Sequence, residues 1–365
     1  MIRLAILTLL LTFIFSSCKD DDTGGETTTP AEEVYYPDNS GDWETLSTDS
    51  IGWRSDKLQE LYNLLENNDT RAFIVLVNGR IAVEQYFGKD IVNLGDFKPT
   101  SRWYWASAGK TLTSFATVKA KEEGFLDFED KTSDYLGEGW TSLTKEQEDK
   151  ITVWNQLTMT SGLDDGVDNN FNTSPEKLIY KADAGQRWAY HNAPYTLLDT
   201  VLESATGLFF EQYFNAKIKD KIGMDGSWSW LRDNHIFFST ARSMARFGHL
   251  ILNNAKWQNE QLLDSALVRE MTTQSQELNE AYGYLWWLNG KDSYMLPETQ
   301  VKFNGMLLPD APYDAFAGLG ANGQYLCVVP SKKMVVIRMG DNPDDALVPA
   351  LFLNDIWKNL NEVIP

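Results

Sequence analysis

A serine and a lysine three residues apart could act together as a nucleophile and its base. Ser107 and Lys110 lie in the stretch YWASAGKTLTSF, where a helical pattern begins. With Ser107 in the first helical turn, Lys110 lies one turn further along the same face, so its amine can reach the serine oxygen. Burial and the positive end of the helix dipole both disfavour the ammonium form of a lysine. Lys110 is therefore a candidate neutral base for Ser107.

The spacing alone does not identify this pair, because Ser-x-x-Lys occurs four times in the chain. The other copies are Ser16/Lys19, Ser142/Lys145 and Ser174/Lys177. Apolar residues precede Ser107, whereas the copy at Ser142 lies in a charged stretch and the copy at Ser174 continues into Pro175. These flanks favour Ser107 as the reactive serine. The competing interpretation is an ordinary N-cap serine beside a solvated lysine.

Tyr190 and Asn192, in the stretch GQRWAYHNAPYTLL, form a second candidate pair. In an extended segment, residues two apart point the same way, and His191 would face the other side. A tyrosine could relay a proton between nucleophile and leaving group, and an amide could orient a substrate carbonyl or the lysine. The competing interpretation of Tyr190 is a packed core aromatic.

The stretch AFAGLGANGQYL is the third candidate, since it is rich in glycine and leads into a strand-like run. Glycines at a strand edge let a backbone N–H approach a developing oxyanion. A plain turn into a hairpin is the competing interpretation of this stretch.

The elements that must position these residues are strands at both ends of the chain and helices in the middle. Asn78-Gly79 separates two β-branched runs, which predicts a hairpin. The residues from Pro330 to Lys333 separate two similar runs near the other end. We expect an α+β fold, with an antiparallel sheet built from the N- and C-terminal segments, flanking helices, and a helical lobe inserted at roughly residues 110–265. A cleft between sheet and lobe is the expected site.

The first residues are typical of an export signal. An apolar run from Leu4 to Phe15 follows Arg3 and is too short to span a bilayer of about 30 Å. The residues before Cys18 resemble a bacterial lipobox; a buried N-terminal helix is the alternative. We expect a lipoprotein signal peptide at residues 1–17, lipidation of Cys18, an acidic flexible tether at 18–42 and one large domain at 43–365. The protein would then be exported and anchored by its lipid to a bacterial membrane.

The composition excludes several partners. A formal net charge of −20 argues against nucleic acid and against an anionic membrane surface, so the N-terminal lipid would be the only membrane contact. The three histidines, His191, His235 and His249, show no metal-ligand spacing, and we expect neither a metal nor a cofactor. Cys327 lies in an apolar run and is expected to be a buried free cysteine.

Together the three segments resemble the serine β-lactamase and penicillin-recognising family, most closely its class C-type esterase and amidase branch, which includes proteins similar to 6-aminohexanoate-oligomer hydrolases. The stretches ITVWNQLTMTSGLDD and YGYLWWL resemble connecting blocks of that family. The resemblance implies the β-lactamase/transpeptidase-like fold. It also implies hydrolysis of a small ester or amide substrate through an acyl-enzyme.

The resemblance also implies roles for individual residues. The catalytic set would be the nucleophile Ser107, the general base Lys110 and the proton relay Tyr190, and the substrate-binding set would be Asn192, Gly320 and Ala321. The backbone N–H groups of Ser107 and Ala321 would donate to the oxyanion. These roles are expectations that depend on the resemblance.

The sequence departs from the family at the third segment. The family commonly has Lys or His, any residue, then Gly, whereas this chain has Gly318-Leu319-Gly320. In the family the cation helps to hold the carboxylate of β-lactams and D-alanyl peptides, so its loss favours ester or amide hydrolysis. Arg102 or Arg187 could replace the missing cation. The alternatives are a β-lactamase or D-alanyl-D-alanine carboxypeptidase, and a non-catalytic ligand-binding lipoprotein on the same fold.

Overall fold

The computed structural model describes residues 33–39, 41–344 and 346–365. The predicted signal peptide, Cys18 and the first part of the predicted tether lie outside the described residues. No helix within the described ranges combines the length and the apolar character needed to cross a bilayer.

Strands are concentrated towards both ends of the described chain, and helices occupy most of its middle. The strands are β1 (Thr70–Val77), β2 (Arg80–Tyr86), β3 (Arg102–Tyr104), β4 (Ser227–Leu231), β5 (Asn234–Thr240), β6 (Lys256–Trp257), β7 (Glu260–Gln261), β8 (Trp287–Leu288), β9 (Ser293–Met295), β10 (Lys302–Asn304), β11 (Phe316–Gly320), β12 (Gln324–Val329) and β13 (Met334–Gly340). The α-helices are α1 (Leu58–Asn67), α2 (Lys110–Glu122), α3 (Thr132–Leu136), α4 (Lys145–Glu148), α5 (Val153–Leu157), α6 (Asn192–Thr196), α7 (Leu198–Thr206), α8 (Phe210–Phe214), α9 (Ala241–Leu252), α10 (Ser265–Met271) and α11 (Ala350–Val363).

The central sheet has six antiparallel strands in the order β2-β1-β13-β12-β11-β8. Asn78 and Gly79 join β1 to β2 with φ of +49° and +86°, the left-handed pair that a two-residue hairpin turn requires. Val75 in β1 lies opposite Val336 in β13, so the N- and C-terminal segments pair directly. The predicted α+β fold, with an antiparallel sheet built from both ends of the chain, is confirmed.

Helices cover both faces of this sheet. On one face, Phe352 of α11 packs against Tyr325 with ring centroids 6.4 Å apart. On the other face, α9 crosses at Gly248, where an added Cβ would lie 2.5 Å from Val335 and 2.7 Å from Leu326. Only glycine lets the helix come this close. Because side chains alternate along β12, Tyr325 and Leu326 face opposite helical layers.

Helix α9, although it falls between β3 and β8, covers the sheet, and the rest of that segment forms a mostly helical lobe beside the sheet. It has a small core of its own, made of Trp140, Ile151, Leu163, Leu178 and Ala193. The lobe interval also contains a β-hairpin, because β4 pairs with β5 and β5 pairs with β3. Helix α2 is almost entirely buried from Lys110 to Ala120, so the first turn of this helix lies deep in the molecule.

Residues 33–39, which fall in the predicted tether, lie on the domain. His249 Nε2 is 2.8 Å from the Tyr35 carbonyl oxygen. Arg246 is buried in α9 and donates to the Pro37 carbonyl at 3.0 Å. The prediction of a solvated linker is therefore wrong for this part. The partners that hold it are distant in sequence, and local composition does not reveal them.

Candidate active site

Ser107 lies in a single 3-10 turn, Ala106–Gly109, that leads directly into α2. Ala106 has a φ of +45°, a left-handed conformation that is uncommon for a residue with a side chain. Ser107 lies inside the turn rather than at the N-cap, and Lys110 Nζ donates to its hydroxyl at 3.0 Å. The N-cap interpretation of this serine is therefore wrong.

The glycine-rich strand β11 abuts the serine turn. A Cβ added at Gly320 would lie 2.6 Å from the Trp105 carbonyl oxygen and 2.9 Å from the Ala108 amide nitrogen. No side chain fits between the strand and the turn, so glycine is required for this approach. Ala321, the next residue, lines the same cavity as Ser107. This placement is compatible with backbone N–H groups that meet at one reacting oxygen.

Lys110 is buried beside Ser107 and is only 3% exposed. Its amine donates to the Ser107 hydroxyl at 3.0 Å and to Asn192 Oδ1 at 2.8 Å. The nitrogen also lies 4.2 Å from the centre of the Tyr195 ring and 5.1 Å from that of Tyr190. Burial lowers the pKa of Lys110 to about 7. Half of the Lys110 side chains would therefore be neutral amines near neutral pH.

Tyr190 and Asn192 both reach this cavity, although not from one extended segment. Tyr190 lies in the loop before α6, and Asn192 is the first residue of that helix. The expectation of an extended stretch through both residues is wrong, since the helix begins at the second one. Burial raises the pKa of Tyr190 well above its ordinary value, and a hydrogen bond with the Ser107 side chain opposes this shift. Tyr190 is therefore a neutral phenol at neutral pH.

Tyr190 is also a packed core aromatic, as the competing interpretation proposed, and the two descriptions are compatible. Its ring stacks on Trp287 at 5.7 Å between centroids and meets Tyr282 edge-on at 6.3 Å. These contacts fix the ring while its hydroxyl faces Ser107. His191 is buried with it, and burial lowers the pKa of His191 to about 4, so it is a neutral side chain.

The cavity at Ser107 has a volume of about 260 Å³ and is walled mainly by apolar and neutral polar side chains. Phe171, Leu231, Ile236 and Leu347 supply much of its apolar wall. Among the described residues that line it, Lys110 is the one lysine or arginine, and none is a carboxylate.

Neither arginine that could have replaced the missing cation reaches this cavity. Arg102 pairs with Asp225 at 2.9 Å on the surface, and Arg187 pairs with Asp165. At Gly318, a Cβ would lie 2.9 Å from the Thr111 methyl and 3.2 Å from the Ala108 carbonyl oxygen. Among the described residues, the cavity therefore has no lysine or arginine placed for a substrate carboxylate other than the base itself.

Sequence reasoning missed several residues of the cavity, above all Tyr195. Its ring contacts the Lys110 amine, and its hydroxyl lies 3.5 Å from Thr113 Oγ1. Tyr195 follows Asn192 by three residues, so a helix starting at Asn192 would have placed both on one face. The expectation that the segment at Tyr190 and Asn192 is extended hid this helical spacing between Asn192 and Tyr195.

A second, larger cavity of about 650 Å³ adjoins the first, and Phe171 lines both. Asn170 lies between them, since it lines the second cavity and its side-chain oxygen accepts a hydrogen bond from Asn192 at 3.1 Å. Charged side chains line the second cavity, among them Arg187 and Glu298. The two cavities differ in character: the one at Ser107 is walled mainly by apolar and neutral polar side chains, whereas several charged side chains line the one beyond Phe171.

The sequence model of the Beta-lactamase family matches residues 68–345 of this chain, which is most of its length. The chain belongs to the beta-lactamase family. It is similar to a candidate penicillin-binding protein, PbpX, of Bacillus subtilis, with 28% identity over 178 residues that cover 46% of this chain and 44% of that protein. It is also similar to Protein flp of Staphylococcus aureus, with 24% identity over 44% of this chain and 36% of that one. The chain thus spans less than half the length of these curated relatives.

Solved structures share the fold over most of the chain. A candidate 6-aminohexanoate-dimer hydrolase from Bacillus anthracis aligns with a TM-score of 0.63 and 22% identity, covering 84% of this chain and 83% of the other. A family VIII carboxylesterase aligns with a TM-score of 0.64 and 14% identity, covering 83% of this chain and 96% of the other. At these identities the likeness establishes the β-lactamase-like fold, and the chemistry has to be argued from the site.

Proposed function

We propose that this protein is a serine hydrolase that cleaves a neutral ester or amide through an acyl-enzyme. The observation that carries the proposal is the buried Lys110, whose amine donates to the Ser107 hydroxyl at 3.0 Å and has a pKa lowered to about 7 by burial. A lysine in this state is a base at neutral pH, and a serine within its reach is a nucleophile.

In acylation, the Ser107 oxygen attacks the substrate carbonyl carbon while its proton passes to the Lys110 amine. The backbone N–H groups of Ser107 and Ala321 stabilise the negative charge that develops on the carbonyl oxygen. The tetrahedral intermediate then collapses, and the bond to the leaving group breaks. The leaving oxygen or nitrogen receives the proton through the Tyr190 hydroxyl.

Deacylation follows the same path in reverse. A water molecule attacks the acyl carbon and gives its proton to the base, and Ser107 recovers a proton as the acid product leaves. Two opposite pKa shifts support this division of labour between base and relay. Burial lowers the pKa of Lys110 and raises that of Tyr190, so the lysine is the group available as a base.

The neutral substrate class follows from the lining of the cavity. Lys110 is the one lysine or arginine among the described lining residues, and a side chain at Gly318 would crowd the Thr111 methyl and the Ala108 carbonyl oxygen, which opposes a cation there. A charge-assisted contact to a carboxylate contributes about 1.5–3 kcal/mol, so substrates that depend on one would react about tenfold to hundredfold more slowly.

The test is turnover of short-chain p-nitrophenyl esters by the wild type and by Ser107→Ala, with intact mass spectrometry to detect the acyl-enzyme. The proposal expects turnover and a mass adduct in the wild type and neither in Ser107→Ala. Ser142→Ala, with a serine of the same local spacing, is the matched control and should keep full activity. A wild type that binds ligands without turnover would instead indicate a binding protein on the same fold.

Comparing kcat/KM for a neutral ester with that for benzylpenicillin or a D-Ala-D-Ala peptide at equal pH tests the substrate class. We expect the neutral ester to be the better substrate. Efficient turnover of the carboxylate-bearing substrates would replace the proposal with a β-lactamase or carboxypeptidase.

We also propose that the protein is exported and lipid-anchored at Cys18, on the basis of the lipobox-like residues that precede this cysteine. Labelled fatty acid should be incorporated into the wild type and not into Cys18→Ala, and globomycin should leave the precursor uncleaved. Incorporation in the Cys18 variant would exclude this site of anchoring.

A further inference from the structure

Arg338, in the middle of the sheet on β13, is completely buried. Its guanidinium donates to four carbonyl oxygens and one hydroxyl: Asn322 O at 2.8 Å, Gly323 O at 2.8 Å, Asn68 O at 2.6 Å, Asp341 O at 3.0 Å and Thr70 Oγ1 at 3.1 Å. These five bonds use all five N–H donors that an arginine carries. The side chain is therefore held in one orientation.

Two of these acceptors belong to the turn Ala321–Gly323 that follows β11. This turn begins with Ala321, whose N–H is the proposed second oxyanion donor. Asn322 and Gly323 both have left-handed backbone conformations, with φ of +61° and +73°. A non-glycine residue in that region is strained, and the surroundings must hold it there. Arg338 stabilises this conformation from the sheet side of the turn, because its guanidinium donates to the carbonyl oxygens of both residues.

The upper side of the same turn faces the substrate cavity. Asn322 Nδ2 donates to the Tyr104 hydroxyl at 2.8 Å, and both side chains line the cavity at Ser107. Gln324 Nε2 donates to the Ala321 carbonyl at 3.3 Å and to the Asn322 carbonyl at 3.1 Å. The turn is thus fixed between the cavity wall and the buried guanidinium, and Arg338 makes the two shorter bonds to its carbonyl oxygens.

The charge of Arg338 is not hydrogen-bonded to a carboxylate among the described residues. Asp341 gives it a backbone carbonyl, while the Asp341 carboxylate pairs with Arg71 at 3.1 Å. Burial lowers the pKa of Arg338 to about 10, so the group remains a cation at neutral pH. A cation held by neutral oxygens behind the turn adds positive potential where an oxyanion would form.

We propose that Arg338 is a positioning residue for the oxyanion hole, holding the Ala321–Gly323 turn so that the Ala321 N–H faces Ser107. This inference rests on the proposed hydrolase function. A residue in the sheet would then contribute indirectly to transition-state stabilisation, because the Ala321 N–H must be in place before negative charge develops on the substrate oxygen. The substrate itself never touches Arg338.

The experiment compares Arg338→Lys with Arg71→Lys, a matched arginine on the neighbouring strand that pairs with the same Asp341 and does not bind the turn. Two quantities are measured below the melting temperature of each variant. The first is kcat and KM for a p-nitrophenyl ester. The second is amide hydrogen exchange in the peptide that spans residues 320–324.

We expect Arg338→Lys to lower kcat about tenfold to hundredfold, to leave KM within about twofold, since ground-state binding is untouched, and to speed exchange at residues 320–324. Arg71→Lys should change neither quantity. A folded Arg338→Lys enzyme with wild-type kcat would overturn the proposal, and so would an equal loss in Arg71→Lys, because that would indicate general destabilisation.

A second variant covers the case in which Arg338→Lys does not fold. Gly323→Ala retains the charge but places a methyl group against the Arg338 guanidinium, so it should give the same loss in kcat. Wild-type kcat in folded Gly323→Ala would contradict the positioning role. If the wild type shows no esterase activity, the hydrolase proposal has failed, and the exchange measurement still decides whether Arg338 holds the turn.

Discussion

Two serine-lysine pairs of identical spacing lie in opposite surroundings in this molecule. Lys110 is 3% exposed and contacts a hydroxyl and an amide oxygen. Lys145 has a side chain that is 56% exposed and pairs with Glu138 and Asp149. Burial lowers the pKa of Lys110 to about 7, whereas the hydrogen bond with Glu138 raises the pKa of Lys145.

The serines differ in the same way. The Ser107 hydroxyl accepts a hydrogen bond from its lysine, while the Ser142 hydroxyl donates to the Leu178 carbonyl at 3.1 Å. The spacing therefore supplies a possible contact, and the environment decides whether the lysine is a base. A carboxylate near the amine stabilises the ammonium form, and burial without a carboxylate partner destabilises that form.

Replacing the buried lysine is the strongest test of the difference between the two serine-lysine pairs. Lys110→Met should reduce kcat for a p-nitrophenyl ester about a thousandfold, because general-base catalysis contributes about 10²–10⁴-fold. Lys145→Met is the matched control and should retain wild-type kcat. Equal activity in the two variants would show that the buried amine is not the base.

Tyr190 supplies a neutral hydroxyl beside the buried serine. Tyr190→Phe should lower kcat about a hundredfold, since the proposed proton relay would be lost while the ring keeps its packing on Trp287. Steady-state kinetics with an ester and an anilide distinguish the outcomes. The anilide should suffer more, because its leaving nitrogen needs the proton, and equal rates for wild type and variant would remove Tyr190 from the mechanism.

The burial of Lys110 should also have a cost in stability. The pKa of Lys110 is about 7 in the folded protein and 10.5 ordinarily, so unfolding takes up a proton between these pH values. Its burial therefore destabilises the fold most at pH 7 and below, and least near pH 10.5. After the loss of the Asn192 hydrogen bond is included, Lys110→Met should be about 2 kcal/mol more stable than wild type at pH 7.

Urea denaturation from pH 7 to 10 measures this difference. The advantage of the variant should shrink as the pH rises. A difference that stays constant with pH would mean that the folded protein holds this lysine with an ordinary pKa.

Asn192→Asp would give the buried Lys110 a carboxylate partner, as the exposed Lys145 already has. It places a carboxylate where Asn192 Oδ1 now lies, 2.8 Å from the Lys110 amine, and so raises the lysine pKa. Because the neutral amine is the proposed active form, activity at pH 7 should fall about tenfold and the rising limb of the pH profile should move up by about one unit. The profile of kcat/KM against pH checks this. An unshifted limb would mean that it does not report Lys110.

The smallest effect is expected at the exposed pair itself. Lys145→Met removes surface ion pairs that solvent and salt screen. Its free energy of unfolding in urea should therefore stay close to that of the wild type. A larger loss would show that the interactions around α4 are stronger than their exposure suggests.

Much of the fold could be predicted from local signals. The Asn78-Gly79 turn, the strand-like runs at both ends and the helical spacing between them all survive in the structure. Such signals depend on neighbours in sequence, so they can be read without knowing the tertiary contacts. The apolar flank of Ser107 likewise separated it from Ser142.

The rest depends on contacts between distant segments. Tyr195 reaches the Lys110 amine only because α6 packs beside α2, and composition does not encode that meeting. The segment at residues 33–39 looks like a linker, yet partners in α9 hold it. Arg338 gave no local signal either, since its acceptors come from three separate stretches of chain, at residues 68–70, 322–323 and 341.

Gly318 has a consequence for how new specificity could arise in this scaffold. A Cβ there meets both the Thr111 methyl and the Ala108 carbonyl oxygen, and Thr111 is itself buried and hydrogen-bonded to that oxygen at 2.7 Å. A lysine at this position therefore conflicts with the helix that carries Lys110. At this position, introducing a cation for a substrate carboxylate would need a second change that makes space at Thr111. A random library of single substitutions should yield variants with altered neutral-ester preference far more readily than β-lactam hydrolases.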